Sequence, residues 1–254
     1  MIRAVLFDLG GTLHTSDKPA GREVWFAKRL MDRLGDYGIH LPATPEELAS
    51  RLAVTGEVYK HHSEQTLRED PAAVIWSEYF LDGFGLTREE LEPIAEELSF
   101  LYDYERVRNM RRPHLVETMQ ALRDTGLRLG MISNIISTSV VPHILREYGV
   151  NQFMECVIVS SETGTRKPSA DIFRVAERQM GLKPEELAYV GDTLSRDVLG
   201  VRNAGWRLMI QIRNPSIAHR DAGIDPNVVK PDYRIDDLSE IPAIIRKENG
   251  QPGC

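Results

Sequence analysis

The chain has 254 residues, a formal net charge of −7, and 42% hydrophobic and 27% charged residues. That is room for one large domain or a domain with an insertion, in the composition of a globular protein. The acid excess argues against a nucleic-acid-binding surface, no apolar run approaches the ~18 residues of a membrane span, and two cysteines, Cys156 and Cys254, cannot build a disulfide framework.

The chain opens on a strand-like run, IRAVLF at 2–7, with no signal peptide before it, so a cytoplasmic location is expected. The run is apolar without alternation, which predicts a central strand buried on both faces. It ends at Asp8, followed by Gly10, Gly11 and Thr12. Residues 17–111 differ in character. TPEEL at 44–48 and TREEL at 87–91 are helix starts, each a Thr cap with Glu three residues on. Leu, Val, Ile and aromatic residues at helical spacing follow each, without strand alternation, and Trp76, Tyr79 and Phe80 form a stripe of core type. A helical unit inserted after the first strand is therefore predicted, leaving through the charged segment 105–112.

Beyond Pro113, apolar runs at 127–133, 155–160, 187–191 and 207–212 alternate with segments of helical period, such as Ile172, Phe173, Ala176 and Met180 on one face. Cys156 sits inside one of these runs, where it reads as a small buried hydrophobe. Strands alternating with helices predict an α/β fold, a doubly wound, Rossmann-like parallel sheet covered on both faces. Residues 213–231 read as a long connection and 249–254 as a disordered tail.

In such a sheet, ligands bind beyond the carboxyl ends of the strands. The polar residues falling there are Asp8 after the first run, Ser133 and Asn134 after the second, Lys167 after the third, and Asp192 with Asp197 after the fourth. Carboxylates, a lysine and a hydroxyl converging on one edge suit Mg²⁺ facing a phosphate: oxygen ligands for a hard cation, donors for the phosphate oxygens.

FDLGGTL, MISN, RKPSADIF and VGDTLSRDVLGVRNAGW resemble, in order, the four motifs of the haloacid dehalogenase-like (HAD) hydrolase superfamily. The helical insertion is similar to the cap that many members carry after the first motif. The resemblance implies a core of 1–16 plus 112–254 and a helical cap of 17–111. It implies a Mg²⁺-dependent phosphatase of a small phosphorylated metabolite, with Asp8 as nucleophile forming an aspartyl-phosphate. It implies metal ligation by Asp8, the Gly10 carbonyl and Asp192, with Asp197 completing or orienting the shell. Ser133, the Asn134 backbone, Lys167 and Thr12 would grip the phosphate, and Lys167 would also stabilise charge during attack.

One position departs from the pattern. Many phosphatases of the superfamily carry a second Asp two residues after the nucleophile, as general acid and base; here it is Gly10. Its carbonyl still serves a metal, but proton transfer worth ~10²–10⁴ in rate is lost from it. His14 and Asp17 are the nearby candidates to replace it. A leaving group that needs little protonation is a second explanation. The alternatives outside phosphatase chemistry are a 2-haloacid dehalogenase, which needs no such proton, and a catalytically idle binding protein. In the cap, Arg68, Arg106 and Arg108 are candidates to contact a second anionic group. Nothing in the sequence sets the substrate or the oligomeric state.

Overall fold

The computed structural model describes residues 1–250, so Cys254 and the end of the expected tail lie outside the described residues. Six strands form one parallel sheet in the order β5-β4-β1-β6-β7-β8. They are β1 (Ala4–Phe7), β4 (Arg128–Ser133), β5 (Met154–Val159), β6 (Leu187–Gly191), β7 (Leu208–Ile212) and β8 (Tyr233–Ile235). The predicted strands are all present. β1 is central because both its faces are apolar: Val5 and Phe7 join one core cluster, Ala4 and Leu6 the other. The first cluster is closed by α6 (Leu115–Asp124), α7 (Val140–Glu147) and α11 (Ile241–Glu248). The second is closed by α9 (Ala170–Met180) and α10 (Leu199–Ala204). The short α8 (Ser160–Thr163) follows β5 directly. Since β4 and β6 flank β1 on opposite sides, the strand order reverses there, and the reversal opens a crevice at the carboxyl end of β1. Asp8 stands at that point.

The insertion holds α1 (Arg22–Asp36), α2 (Pro45–Thr66), α3 (Ala72–Val74), α4 (Arg88–Leu91) and α5 (Ala95–Tyr104) around their own cluster. Thr44 with Glu47 and Thr87 with Glu90 form the two expected reciprocal caps. Trp76 and Phe80, on a π-helical turn that continues α3, are buried in that cluster.

The expectation of no strand between 17 and 111 needs correction. β2 (His14–Asp17) pairs antiparallel with β3 (Arg108–Arg111) where the insertion leaves and rejoins the core. β3 reads RNMR and buries no face, so it carries no apolar signal; pairing with β2 makes it a strand. The tail expectation also fails at Asn249, whose side chain accepts from the Ile2 N–H and donates to the Ile2 carbonyl.

Candidate active site

Asp8 is fixed by its own N–H, which donates to the Val190 carbonyl at 2.9 Å. The chain turns back at once: Gly10 and His14 form a β-bridge, and the Gly11 N–H donates to the His14 carbonyl. Gly11 has a φ of 87°, and a Cβ built on it would lie 1.7 Å from Asp192 Oδ2. Only glycine lets β6's terminal carboxylate come this close to the Asp8 loop.

Lys167 reaches the same point from the loop after β5. Its Nζ donates to Asp8 Oδ1 and to Asp197 Oδ1, both at 2.7 Å, and to the Tyr189 hydroxyl at 2.9 Å. The ammonium is thus fully committed, and its side chain is 2% exposed. Asn134 sets the lysine's backbone: its Nδ2 donates to the Lys167 carbonyl and its Oδ1 accepts from the Lys167 N–H. The Asn134 side chain is therefore a brace for the lysine, a role the sequence did not disclose. Asp197 uses its second oxygen to accept from the N–H groups of Asp192 and Thr193 and from the Thr193 hydroxyl. Asn214, in the connection after β7, donates to Asp192 Oδ2 at 2.8 Å. Ser133 ends β4 with its hydroxyl unbonded among the described residues and lines the same cavity.

The charges do not balance. Burial lifts the Asp8 carboxyl above its usual range, with Lys167 opposing the shift. Burial, then Asp8 and Asp197, push the Asp192 carboxyl up to about 8. Asp197 is the exception: burial works against its charge, yet Lys167 and the Thr193 donors hold it low. Burial also works against the Lys167 ammonium, but Asp197 and Asp8 outweigh it and keep the amine charged. Oxygens of Asp8, Asp192 and Asp197 lie within 4.8 Å of one another. Three buried carboxylates facing one ammonium leave a deficit of positive charge, and an all-oxygen donor set suits a hard divalent cation. The residues present fit a metal of that kind.

The cavity over this cluster is about 250 Å³, below the range of drug-sized pockets and matched to a small metabolite. The cap supplies Asp103 and Arg106 to its lining, and the core supplies Arg220. Cap and core are pinned together beside the site. Asp103 Oδ2 accepts from the N–H groups of Ile136 and Ser137, and Glu96 accepts from those of Thr138 and Ser139. Glu69 is buried and takes hydrogen bonds from Tyr59, Ser160 and Arg166, the residue before Lys167.

The two candidates to replace the missing acid separate. His14 lines the cavity and is buried, with Nδ1 3.1 Å from the Tyr148 hydroxyl. Burial, then Arg112, push its imidazole down to about 4, so it stays neutral at physiological pH. Asp17 is held by Arg108 in a forked ion pair outside the cavity. Arg108 is thereby spent, and Arg68 is exposed away from the cavity; of the cap arginines named from the sequence, Arg106 alone reaches it. Thr12 is fully buried with its hydroxyl unpartnered and does not line the cavity. Asn214, Arg220 and Asp103 were not foreseen, since they stand on a long connection and a cap helix rather than at strand ends.

A Rossmann-like sheet, a carboxylate–lysine cluster at its switch point and a helical insertion over it together define one class of hydrolase. Residues 2–205 match the family model described as haloacid dehalogenase-like hydrolase, and the chain belongs to that family. It is 30% identical over 247 residues to a glyceraldehyde 3-phosphate phosphatase of Methanopyrus kandleri, covering 97% of this chain and 98% of that one. It is 30% identical over 251 residues to a phosphoserine phosphatase of Thermus thermophilus, covering 94% and 90% respectively. A 2-haloacid dehalogenase from Pseudomonas syringae shares the fold, with a TM-score of 0.64 at 23% identity over 98% of this chain and 100% of that one. Among the described residues, no helix is long and apolar enough to cross a membrane.

Proposed function

We propose that this chain is a Mg²⁺-dependent phosphatase of a small phosphorylated metabolite, working through a phosphorylated Asp8. The observation that carries this reading is Lys167, buried and bridging Asp8 and Asp197 at 2.7 Å each, with the Asp192 carboxylate alongside. Glyceraldehyde 3-phosphate and phosphoserine, in the names of its relatives, are small phosphate esters of the size the cavity takes.

In this reading a carboxylate oxygen of Asp8 attacks phosphorus, the bond to the ester oxygen breaks, and water later hydrolyses the acyl phosphate on Asp8. Lys167 opposes the burial that disfavours the Asp8 carboxylate before attack and faces the developing charge on the phosphoryl oxygens. The free Ser133 hydroxyl and the backbone at Asn134 are the remaining donors. Mg²⁺, held by Asp8, the Gly10 carbonyl and Asp192 with Asp197 orienting the set, would offset the repulsion between the carboxylate and the phosphate. The cap limits the access of bulk water to the site. Protonation of the leaving oxygen is not assigned to Gly10, Asp17 or the neutral His14.

The test is hydrolysis of p-nitrophenyl phosphate with and without Mg²⁺, and again with Asp8→Asn. Turnover is expected only with the metal and with Asp8 intact. Full activity in Asp8→Asn, or activity after complete chelation of divalent ions, overturns the proposal.

A further inference from the structure

Two arginines line the cavity, one from the insertion and one from the core, with no partner of their own among the described residues. Arg106 follows α5 on the cap; its guanidinium lies 4.2 Å from the centre of the Tyr102 ring, and its buried Nε has no hydrogen-bond partner. Arg220 comes from the core, on the 3-10 turn Pro215–Asp221, and is exposed at the rim. Neither makes a hydrogen bond or an ion pair to a side chain among the described residues. Both are nonetheless positioned. Tyr102 is packed against Phe26, Trp76 and Phe80 of the cap. Asp221, the residue after Arg220, accepts from the N–H groups of Leu194 and Ser195 and so ties its turn to the segment behind Asp192.

Of the acids near Arg220, Asp8 and Asp192 belong to the carboxylate cluster and already accept from Lys167 and Asn214. Glu64 neutralises Arg196 at 2.5 Å, and Glu57 pairs with Lys60. Asp103 spends Oδ2 on two backbone N–H groups, and burial holds its carboxyl up at about 7, so it is not a full counter-charge for Arg106. Lys18 lies near both arginines, and Glu23 and Glu57 lie near it as opposing charges. The phosphoryl group is served by Lys167 and Ser133, beside Asp8. Two further guanidinia lining the same cavity are superfluous for a substrate whose only charge is its phosphate.

We propose that the substrate carries a second anionic group, a carboxylate or a second phosphate, gripped between Arg106 of the cap and Arg220 of the core. This rests on the phosphatase reading and narrows it to phosphorylated acids or bisphosphates, away from neutral aldehydes and alcohols. Guanidinium suits this task because its planar fork binds either oxyanion through paired hydrogen bonds. With one arginine on each body, the second anion also favours the closed arrangement of cap on core.

The experiment measures kcat/KM of the unmodified enzyme with Mg²⁺ on matched pairs: 3-phosphoglycerate against glycerol 3-phosphate, and O-phosphoserine against phosphoethanolamine. Fructose 1,6-bisphosphate against fructose 6-phosphate tests whether a phosphate serves in place of the carboxylate. A preference of about a hundredfold for the more anionic member is expected, about tenfold from a charged hydrogen bond to each arginine. Arg106→Gln and Arg220→Gln should each reduce that ratio about tenfold. Arg220 is exposed and unbonded, so its variant reads the ratio even if Arg106→Gln fails to fold. Ratios near one, or ratios that survive both substitutions, overturn the proposal. Failure to hydrolyse p-nitrophenyl phosphate or any of these esters would instead remove the phosphatase reading, and this proposal with it.

Discussion

Replacing Gly10 by Asp puts a carboxyl group into the part of the cavity where a proton donor is lacking. A Cβ built on Gly10 meets no atom within 4 Å, and its φ lies outside the left-handed region, so the backbone accepts a side chain. Loss of glycine entropy in the unfolded chain favours the variant by about 0.4–1 kcal/mol. The new group joins the carboxylates of Asp8, Asp192 and Asp197 with only Lys167 opposing them. Two carboxylates about 6 Å apart at an effective dielectric of ~20 repel by about 3 kcal/mol, which is about two pKa units. That brings the added acid from about 4 towards 6, where a general acid works well near neutrality. The expected gain in kcat on an alkyl phosphate such as glycerol 3-phosphate is ~10², the low end for general acid–base help, because the group has no neighbour to aim it. Stopped-flow release of p-nitrophenolate provides the control. The aryl leaving group departs without a proton, so the first step should be unchanged, whereas hydrolysis of the acyl phosphate should quicken and shrink any burst. A folded Gly10→Asp enzyme no faster than the unmodified one on alkyl phosphates would refute the reasoning, because the proton would then already be supplied elsewhere.

Gly11→Ala should behave in the opposite way: its Cβ would fall on Asp192 Oδ2 at a φ of 87°. A strain of about 1–3 kcal/mol and a displaced Asp192 are expected, read as a raised Mg²⁺ requirement in a titration of activity. Unchanged metal dependence would contradict the placement of that loop. Glu69→Gln removes one partner of a buried ion pair with Arg166, whose side chains are 0% and 9% exposed. A loss of about 3–5 kcal/mol in urea unfolding is expected, and a loss too small to measure would count against the network. His14 titrates at about 4 when folded against 6.5 ordinarily. Between those values the unfolded chain takes up a proton that the folded one does not. This contribution is therefore complete above pH 6.5 and lost as the pH falls to 4, amounting to about 3 kcal/mol. Chemical denaturation across that range should show His14→Gln losing less stability than the parent; equal losses would argue against a buried neutral imidazole.

The strand-end residues were legible because each follows a short apolar run, and the sheet that those runs dictate carries Asp8, Ser133, Lys167 and Asp192 to one edge. What the sequence hid depends on chain segments without periodicity. Arg220 and Asn214 lie in a connection whose composition suggests only a loop; Asp221's capping of Leu194 and Ser195 is what turns it towards the site. β3 was missed because a strand with no buried face leaves no pattern. Asp17 and His14 looked equivalent on paper, both just past the glycines. Alternation along β2 and the pairing of Asp17 with Arg108 send one outward and leave the other inside. The Asn134 clamp was invisible for another reason: it joins residues 33 apart through backbone atoms, which no residue type announces.

The contacts between cap and core fall close to Ser133 and Lys167, the two core residues proposed to face the phosphate. Glu96 and Asp103 hold the backbone at Ile136–Ser139, a few residues past Ser133, while Glu69 holds Arg166, the immediate neighbour of Lys167. An enzyme whose cover merely shut over a finished centre would keep that centre intact when open. Here, lifting the cover would release the backbone at Ile136–Ser139 and the Arg166 side chain, and so loosen the two loops that carry Ser133 and Lys167. If these residues grip the phosphate as proposed, its release and the loosening of those loops would be one event, and the core stripped of its insertion would be a loosened centre rather than a smaller enzyme.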